Sequence, residues 1–340
     1  MPELPEVEAM RGQLEGYCAD SVITEVLIHE VGHGPRHGLL DEIVHVSSES
    51  ILEILQGNKI KEVKRKGKYL WISLVNKSHQ DLSSFVVFHF GMTGSFVFKG
   101  REAPVYQSFQ ISSNWPPKFT KLLIKFENHE EVAFCDPRRL GRIKVIRNEM
   151  TLQTDVLDPL AKDCLYDEIT GEYIFSKVQL SSCPIKTLLL DQQKLCCGIG
   201  NWVADEVLYH SRIHPGTKSN QLTLTQCNHL SEAIRMVITT ACSKHADSSL
   251  FPPDWIFHYR WEKRSSGQSS SRLRNLEGHL VKYETINGRT SAYVPHLQKL
   301  PGVRKEPSPA ARGAKIMKRN QSFEGEDLSD RKRPKRSTVV

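Results

Sequence analysis

Long apolar stretches are missing from this sequence, and cysteines are few. No run approaches the ~18 consecutive apolar residues that a membrane-spanning helix needs. The N-terminus also lacks a basic stretch followed by an apolar one, which argues against a secretory signal peptide. The 340 residues include eight cysteines, and the last of them is Cys242. This distribution does not form a disulfide framework, so we expect a protein of a reducing compartment with no membrane partner.

Positive charge is sparse in most of the chain. The formal net charge is +7, but residues 304–340 contain 11 Lys and Arg against 5 Asp and Glu, and so hold six of the seven net charges. The remaining body is close to neutral. Any surface of the body that binds nucleic acid must therefore be a local basic patch and not a global field.

The spacing of apolar residues changes along the chain. Val7, Met10 and Leu14 recur at helical spacing and predict an N-terminal helix. Between about 59 and 147, short β-prone runs alternate with turns, which is typical of a sandwich or a barrel. Those runs are KYLWISLV, SFVVFHFGM, SFVFKG, LLIKFE, EVAFCD and RIKVIR. Residues 151–168 show no clear period and are interpreted as a linker.

Helical patterns dominate the second half. PIKTLLLDQQK predicts a helix with Pro184 in its first turn, and NWVADEVLYHS predicts another helix with Asn201 as its cap. A longer helix contains Leu230. Asn287 and the glycine after it, flanked by HLVKYETI and RTSAYV, predict a β-hairpin. The Pro-, Lys- and Arg-rich tail predicts disorder.

The N-terminal motif PELPEVE contains candidates for catalysis. If Met1 is removed, Pro2 presents a free secondary amine beside Glu3. Such an amine attacks an aldehyde-like sugar carbon and gives a cationic iminium, which is an electron sink for elimination. A nearby carboxyl group can supply or take the protons. An acidic helix start with prolines has the same composition, so the motif alone leaves both interpretations open.

Two kinds of motif suit DNA binding. In RKGKYLW, residues Arg65, Lys66 and Lys68 are candidates for gripping phosphates, although a solvated basic turn has the same composition. HFGMTGS (89–95) and DPRRLGR (136–142) are glycine-punctuated turns. Side chains held at their tips can wedge into a duplex when a nucleotide is extruded, or can anchor the loops to the core. The side chains concerned are Met92, Arg138 and Leu140.

GIGNWVAD (198–205) invites comparison with a dinucleotide-binding motif. That motif needs a preceding strand and an acidic residue about twenty positions later, whereas the preceding LLLDQQKLCC is interpreted as helical. A helix–turn–helix whose second helix starts at Asn201 agrees better with the pattern. Its N-terminal amides would then be free to bind a phosphate.

Isolated residues outside these motifs are less informative. His29, His33 and His37 have the spacing of metal ligands on a helix, but the glycines among them break a helix and favour a loop. Arg289 follows the predicted hairpin turn. It is a candidate for contacting a phosphate, or simply an exposed arginine.

Taken together and in this order, the motifs resemble the formamidopyrimidine-DNA glycosylase/endonuclease VIII family. The resemblance spans roughly residues 2–300 and rests on PELPEVE, RKGKYL, HFGMTGS, DPRRLGR, LLLDQQKLCCGIGNWVADEVLY and GRTSAYV. The PELPEVE start is typical of the formamidopyrimidine branch. NWVADEVLYHSRIHPG, FPPDWIFH and GRTSAYVPHLQKL are similar to the plant and fungal members.

The resemblance implies an α+β fold with a β-sandwich first and helices after it. The implied parts are an N-terminal catalytic β-sandwich domain with flanking helices (2–150), a linker (151–168), a helix–two-turn–helix domain (169–250), a β-hairpin finger (251–300) and a disordered basic tail (301–340).

Many bacterial members hold this finger with zinc on four cysteines. No cysteine follows Cys242, so a Cys-ligated zinc is excluded. His258, His279 and His296 are widely spaced and suggest no site. The resemblance therefore implies a zincless finger in which side-chain packing replaces the metal, and we expect no metal and no cofactor.

The resemblance also implies an activity. The chain would be a bifunctional DNA glycosylase and AP lyase of base excision repair that removes oxidised, ring-opened purines. Pro2 would attack C1′ of the damaged nucleoside to form a Schiff base, and Glu3 would donate the proton that opens the sugar. A β,δ-elimination would follow. Glu6 matches a second family acid, which is expected to orient the site.

The resemblance also implies which residues contact DNA. The residues implied to bind phosphates around the extruded nucleotide are Lys68, Asn201 and Arg289, and Lys68 is also counted among the catalytic residues. Met92 and Arg138 would fill the gap in the duplex, with Arg138 facing the orphaned base. Bacterial members have Phe where this chain has Leu140, so the resemblance implies a smaller, non-aromatic wedge that stacks less on the bases.

Substrate preference and competing functions complete the expectations. Bacterial members have a longer loop that covers 8-oxoguanine, whereas residues 243–254 are short here. We therefore expect a preference for ring-opened formamidopyrimidines, further-oxidised guanine products and abasic sites over 8-oxoguanine. The main alternative is a noncatalytic damaged-DNA-binding protein on the same fold; intact Pro2, Glu3 and Lys68 argue against it. A nucleotide-cofactor enzyme that uses GIGNWVAD is a more distant alternative.

The expected partner is damaged double-stranded DNA, bound by a monomer. RKRPKR (331–336) is a basic cluster of nuclear-targeting type and predicts localisation in the nucleus. A nonspecific nucleic-acid-binding tail would have the same composition, so both interpretations stay open.

Overall fold

The fold begins with helix α1 (Leu4–Cys18), which has Pro5 in its first turn and Glu6 beside the positive end of the helix dipole. A computed structural model describes residues 2–28, 48–75, 82–101, 114–260 and 273–301. Most of the buried side chains of α1 pack into the core of the sandwich, whereas Leu4 packs into the helical half. Residues Met1–Leu300 form one compact unit. The histidine triplet 29/33/37 and the basic cluster 331–336 lie outside the described residues.

The described strands of the first half form two four-stranded antiparallel sheets. The strands are β1 (Ile23–Ile28), β2 (Lys59–Lys66), β3 (Tyr69–Val75), β4 (Leu82–His89), β5 (Ser95–Phe98), β6 (Thr120–Phe126), β7 (Glu131–Cys135) and β8 (Arg142–Ile146). Their orders are β1-β6-β7-β5 in one sheet and β2-β3-β4-β8 in the other. Helix α2 (Ser48–Leu55) precedes β2. The predicted β-sandwich is confirmed.

The sandwich core lies between the two sheets and is rich in phenylalanine. Phe88, Phe90, Phe96 and Phe134 are buried, with ring centroids 5.0–6.0 Å apart in edge-to-face and tilted pairs. Such pairs contribute roughly 0.5–1.5 kcal/mol each beyond their buried area. The rigid core fixes the strand ends from which the functional loops project.

The segment interpreted as a linker has more structure than its sequence indicated. It contains the end of a short helix, α3 (Glu149–Leu152), a π-helical turn (Gln153–Leu157) and a two-residue strand, β9 (Lys162–Asp163). Strand β9 pairs in parallel with β10 (Cys196–Cys197). Each of these elements is too short to show a period in the sequence.

In the second half, the described residues form four α-helices: α4 (Gly171–Val178), α5 (Ile185–Leu190), α6 (Asn201–His210) and α7 (Leu224–Ser243). Helix α5 ends earlier than predicted, because Asp191 is extended and the residues that follow turn back towards β10. The cap of α6 was also predicted wrongly. Gly200 is its N-cap, and Asn201 is its first helical residue.

The last described element is the predicted hairpin, β11 (Lys282–Ile286) and β12 (Arg289–Tyr293). Asn287 and Gly288 both have positive φ, as a type I′ turn requires. Apolar side chains from several elements pack beneath the hairpin: Tyr209, Ile256, Val281, Ala292 and Val294. Within the described ranges, no helix combines the length and the apolar character needed to cross a membrane.

Candidate active site

The carboxylate of Glu3 lies at the N-terminus of α6, some 200 residues further along the chain. Its Oε1 accepts a hydrogen bond from the N–H of Trp202 (2.9 Å), and its Oε2 accepts one from the N–H of Val203 (3.0 Å). The expectation that these amides are free for a phosphate is therefore wrong. They hold an acidic side chain of the protein, because Glu3 reaches them from the start of α1.

Two glycines make this approach possible. A Cβ at Gly200 would lie 2.2 Å from Cδ of Glu3, and a Cβ at Gly198 would lie 2.3 Å from Cδ1 of Leu4. Gly198 also has φ +105°, a conformation that side chains disfavour, and its carbonyl accepts a hydrogen bond from the N–H of Leu4 (3.1 Å). The glycines of GIGNWVAD therefore accommodate α1 and not a nucleotide.

Glu6 is the second acidic residue of the site, beside Glu3. Its Oε2 accepts a hydrogen bond from the N–H of Glu3 (2.9 Å), and its Oε1 accepts one from Nε1 of Trp202 (3.0 Å). Burial, followed by the charge of Glu3, raises the pKa of Glu6 to about 7. Glu6 is therefore poised to exchange a proton near neutral pH. Pro2, which precedes Glu3, is buried at this site.

Lys68 reaches the same loop from the start of β3. Its Nζ donates to the carbonyl of Ile199 (2.8 Å). Gln192 shapes this loop, because its side chain donates to the same carbonyl (2.9 Å) and accepts from the N–H of Gly198 (2.8 Å). Burial lowers the pKa of Lys68, and the charge of Arg289 acts in the same direction, while Glu3 opposes the shift. The site thus combines two carboxyl groups with a partly desolvated ammonium group.

The other cations of RKGKYLW have structural roles. The guanidinium group of Arg65 is buried and makes two hydrogen bonds to Asp163, of 2.6 and 3.1 Å, and a third to Glu8. The ammonium group of Lys66 donates to the carbonyl of Leu157 (2.8 Å). The charge of Arg65 is already paired inside the protein. Both interpretations of this residue, as a phosphate contact and as part of a solvated turn, are therefore wrong.

Asn201 and the hairpin residue Arg289 meet beside this site. Nδ2 of Asn201 donates to the carbonyl of Thr290 (3.1 Å), which is the residue after Arg289. Arg289 itself is exposed at the start of β12. Asn201 therefore contacts the residue next to Arg289, and the charge of Arg289 acts on Lys68, so the three residues predicted to bind phosphates lie near one another.

His89, at the end of β4, was not selected from the sequence. Its ring packs against that of Tyr69, the residue after Lys68, with centroids 4.9 Å apart. Burial, with the charges of Lys68 and Arg142, lowers the pKa of His89 to about 4, so its imidazole is neutral at neutral pH. This histidine links the Lys68 site to the loop that contains Met92.

Asp136 holds together the loops HFGMTGS (89–95) and DPRRLGR (136–142), which we call the wedge loops. Its Oδ1 accepts from the hydroxyl of Thr93 (2.6 Å), and its Oδ2 accepts from the N–H of Gly141 (2.6 Å). A Cβ at Gly91 would lie 2.4 Å from the backbone of Leu140, so the loops are in direct contact. The three candidate wedge residues, Met92, Arg138 and Leu140, lie on this loop pair; Arg138 is exposed and the other two are half-buried.

Two buried cations beside these loops are missing from the sequence-based candidates. Arg139 is 2% exposed and Lys121 is 5% exposed, yet neither the guanidinium nitrogens nor Nζ has a hydrogen-bond partner among the described residues. Burial and the charge of Arg139 lower the pKa of Lys121. Unpaired buried charges are costly, so the two cations destabilise the fold where they lie, although the charge of Asp136 acts on Lys121 in the opposite direction. The doubled arginine in DPRRLGR was the available signal.

Two family domains match this chain. The formamidopyrimidine-DNA glycosylase N-terminal domain matches residues 1–143, and the helix–two-turn–helix domain of the same enzymes matches residues 160–251. A formamidopyrimidine-DNA glycosylase of Arabidopsis thaliana is 35% identical over 93% of this chain and 76% of its own length. One from Listeria innocua is 27% identical over 88% of this chain and its own full length.

Solved structures agree on the fold. The Lactococcus lactis formamidopyrimidine-DNA glycosylase, bound noncovalently to DNA with an abasic site, has a TM-score of 0.65 and 22% identity over 87% of this chain and 99% of its own. A variant of that enzyme bound to Fapy-dG DNA has a TM-score of 0.66 and 23% identity, covering 88% of this chain and 100% of its own.

A β-sandwich joined to helix–two-turn–helix elements, with the acids of the first helix seated on a later helix N-terminus, defines a DNA glycosylase of base excision repair. The chain belongs to the formamidopyrimidine-DNA glycosylase family. The expected family and fold are thereby confirmed.

Proposed function

We propose that this glycosylase is also an AP lyase, with the amine of Pro2 as its nucleophile once Met1 has been removed. The main support for the proposal is the way in which the carboxylate of Glu3 is bound. Two backbone amides at the start of α6 fix this carboxylate (2.9 and 3.0 Å), and Pro2, the preceding residue, is buried at the same site. Each carboxylate oxygen keeps a lone pair for a proton, so the nucleophile and the acid are positioned as a unit.

The proposed steps use groups that meet at this site. The nitrogen of Pro2 bonds to C1′ while the bond between C1′ and the damaged base breaks; the base leaves with a proton from water, and the proton lost by the Pro2 amine passes to Glu3. Glu3 gives that proton to the ring oxygen and opens the sugar, leaving an iminium on Pro2. Loss of the C2′ proton to a carboxylate of the site then expels the 3′ phosphate, loss of the C4′ proton expels the 5′ phosphate, and water hydrolyses the iminium to release the sugar fragment and free Pro2. Glu6, with a pKa of about 7, supports these proton transfers.

Damaged double-stranded DNA is the proposed partner. Lys68, Asn201 and Arg289 share one surface suited to the phosphates around an extruded nucleotide. The loops tied by Asp136 present Met92, Arg138 and Leu140 for insertion into the duplex. The L. lactis relative binds DNA containing an abasic site or Fapy-dG, which supports the same class of ligand here.

Ring-opened purines are the proposed substrates. Residues 243–254, at the end of α7 and directly after it, are few, and they contain only the 3₁₀ helix Ser248–Leu250 before the next 3₁₀ helix, Ile256–Tyr259. We expect faster excision of formamidopyrimidines and further-oxidised guanine products than of 8-oxoguanine. Single-turnover rates on matched duplexes measure this directly, and faster excision of 8-oxoguanine contradicts it.

Borohydride trapping on an abasic-site duplex tests the lyase. A protein with a C-terminal tag and a mass-verified Pro2 terminus should form a covalent adduct. The matched control is the same chain with an uncleaved N-terminal extension, which keeps every side chain but removes the free amine. It should bind the duplex and form no adduct. If neither protein is trapped while both bind DNA, the noncatalytic alternative is correct.

A nucleotide-cofactor function has lost its structural basis. The amides that would bind a pyrophosphate are occupied by Glu3, and a side chain at Gly200 would clash with it. We expect no binding of a nicotinamide dinucleotide at millimolar concentration in a calorimetric titration. Binding in that titration would revive the alternative.

Nuclear localisation remains a proposal from the sequence. Its support is RKRPKR (331–336), which lies outside the described residues. A fluorescent fusion that lacks these six residues should spread into the cytoplasm. A deletion variant that stays fully nuclear would show that the cluster is not the signal.

A further inference from the structure

Three buried charged groups meet beneath the β11–β12 hairpin. Asp205, on α6, accepts from Nζ of Lys186 at Oδ1 (2.6 Å) and from Nη1 of Arg260 at Oδ2 (2.6 Å). Lys186 belongs to α5, and Arg260 follows the 3₁₀ helix Ile256–Tyr259. The three side chains are 5% exposed or less. One aspartate therefore joins three separate elements of the helical half.

The same groups hold the hairpin by its backbone. Oδ2 of Asp205 also accepts from the N–H of Ala292 (3.0 Å), and Nζ of Lys186 donates to the carbonyl of Thr290 (3.0 Å). Both backbone groups belong to β12 and serve partners other than β11. They lie directly after Arg289, so the contacts fix the strand next to the residue that faces DNA.

Arg260 extends the network to the second DNA-facing residue. Its Nη1 donates to the carbonyl of Asn201 (2.9 Å) as well as to Asp205. The side chain of Asn201 in turn donates to the carbonyl of Thr290 (3.1 Å). Lys186, Asp205 and Arg260, the charged triad, therefore contact the backbone of α6 at Asn201 and the backbone of β12 next to Arg289.

The charges of Asp205 and Lys186 fix which backbone groups of β12 these side chains can bind. The carboxylate of Asp205 matches a backbone N–H, and the ammonium of Lys186 matches a carbonyl two residues earlier. Shifting β12 by one residue would turn these backbone groups towards the other edge and leave both charges without partners. Buried charges without partners cost several kcal/mol. An apolar contact of the same area would not distinguish the two registers.

We propose that Lys186, Asp205 and Arg260 are positioning residues that set the register of the hairpin and thereby hold Arg289 against the DNA backbone. The inference rests on the proposed DNA-binding role of Arg289. Asp205 does not act on DNA itself; its effect on binding passes through Arg289 and Asn201.

A double-mutant cycle on DNA affinity tests the proposal. Arg289→Ala, Asp205→Ala and the double variant are titrated with a tetrahydrofuran-containing duplex at several salt concentrations. Arg289→Ala should weaken binding and lower the salt slope by about 1. Asp205→Ala should weaken binding similarly and lower the slope likewise, although losing a negative charge alone would strengthen binding. The double variant should bind no more weakly than the weaker single variant.

The matched control is Asp155→Ala, which removes a half-exposed aspartate paired with Lys144. It should leave the affinity unchanged or slightly tighter. Additive losses in the cycle, or an unchanged salt slope for Asp205→Ala, would overturn the proposal, because Asp205 would then contribute only to stability. Arg289→Ala without effect would overturn both the proposal and the assigned role of Arg289.

A second variant guards against loss of folding. Lys186→Met, Asp205→Leu and Arg260→Met together replace the triad by apolar groups of similar size, an exchange that proteins often tolerate. The triple variant should unfold cooperatively in urea yet bind with the weakened affinity and reduced slope of Arg289→Ala. Wild-type binding by a folded triple variant would contradict the proposal. All these readouts are independent of borohydride trapping, so a failure of the proposed lyase is recognised separately.

Discussion

At the residue scale, the site depends on how closely the backbone of the α6 N-terminus approaches Glu3. Trp202 and Val203 supply two N–H donors, and the missing side chain of Gly200 leaves room for the carboxylate. PELPEVE and GIGNWVAD are separated by almost 200 residues, and neither motif alone indicates that they touch. The site forms only where the two motifs touch, so the function of each motif cannot be decided from its own sequence.

Gly200→Ala tests this contact. The new Cβ would lie 2.2 Å from Cδ of Glu3, so the carboxylate must leave its amides. We expect the single-turnover trapping rate to fall about 100-fold and the free energy of unfolding to fall by about 1–3 kcal/mol. The control is Gly12→Ala in α1, where nothing lies within 4 Å of the new Cβ. Trapping of Gly200→Ala at the control's rate would refute the role of this contact.

Glu6 gives the protein a pH-dependent stability. Burial and Glu3 raise its folded pKa from 4.5 to about 7, so the folded state binds a proton more tightly than the unfolded state. The stabilising effect of that proton is complete below pH 4.5 and is lost as the pH rises towards 7. Between pH 5 and 8, the wild type should therefore lose about 2 kcal/mol more than Glu6→Gln in urea unfolding. Equal losses in the two proteins would contradict this.

Arg139 should contribute to stability and to DNA binding with opposite signs. It is buried without a hydrogen-bond partner, has φ +53° and lies near the ammonium group of Lys121. Arg139→Met should raise the free energy of unfolding by about 1 kcal/mol, because an uncompensated buried charge is removed. The same variant should weaken binding to an abasic duplex about tenfold. If stability falls together with affinity, the cation has a partner inside the fold.

At the element scale, sequence patterns located the regular parts and missed the irregular ones. The runs KYLWISLV and SFVVFHFGM became β3 and β4, and Asn287 with Gly288 formed the hairpin turn, because period and turn chemistry are local properties. Strand β9 was missed, since two residues have no period and pair only with the distant β10. Asp136 and Gln192 lie inside quoted motifs but were not selected from the sequence, because their role is to bind other loops.

The paired wedge loops allow a test of element geometry. Asp136 fixes both loops, so a larger side chain at position 140 should extend from the same backbone. Leu140→Phe should add stacking area and tighten binding to an abasic duplex about threefold to tenfold, since base–aromatic stacking is worth roughly 1–3 kcal/mol per base. Leu180→Phe, at a position that is 82% exposed after α4, is the matched control. Equal tightening by the two variants would indicate nonspecific apolar binding.

At the scale of the whole molecule, the sandwich and the helical half are joined by buried charges as well as by α1. Arg65 of β2 pairs with Asp163 of β9, and Asp163 also accepts the N–H of Gly67 (2.6 Å). Strand β9 pairs with β10, which leads into the loop that ends at Gly200. The arrangement of the two halves and the geometry of the active-site loop therefore share one ion pair.

Asp163→Asn should reveal this coupling. The substitution leaves Arg65 buried with its main partner neutralised, and breaking such a pair costs about 3–5 kcal/mol. Burial opposes the shift, but the hydrogen bonds and charge of Arg65, together with backbone N–H groups, lower the pKa of Asp163, so the stability that Asp163 provides is present above its unfolded pKa and is lost as the pH falls through the folded value. Urea unfolding at pH 7 should show a large loss for Asp163→Asn. The difference from the wild type should shrink in acid.

The double variant Arg65→Met with Asp163→Leu serves as the control, because it removes both charges and leaves neither unpaired. It should recover most of the stability at pH 7 and lack the acid-dependent part. Trapping then separates stability from site geometry. A double variant that is stable but trapped more slowly would show that the ion pair also positions the loop between β10 and α6, whereas equal stability of Asp163→Asn and wild type would show that the two halves are held together without it.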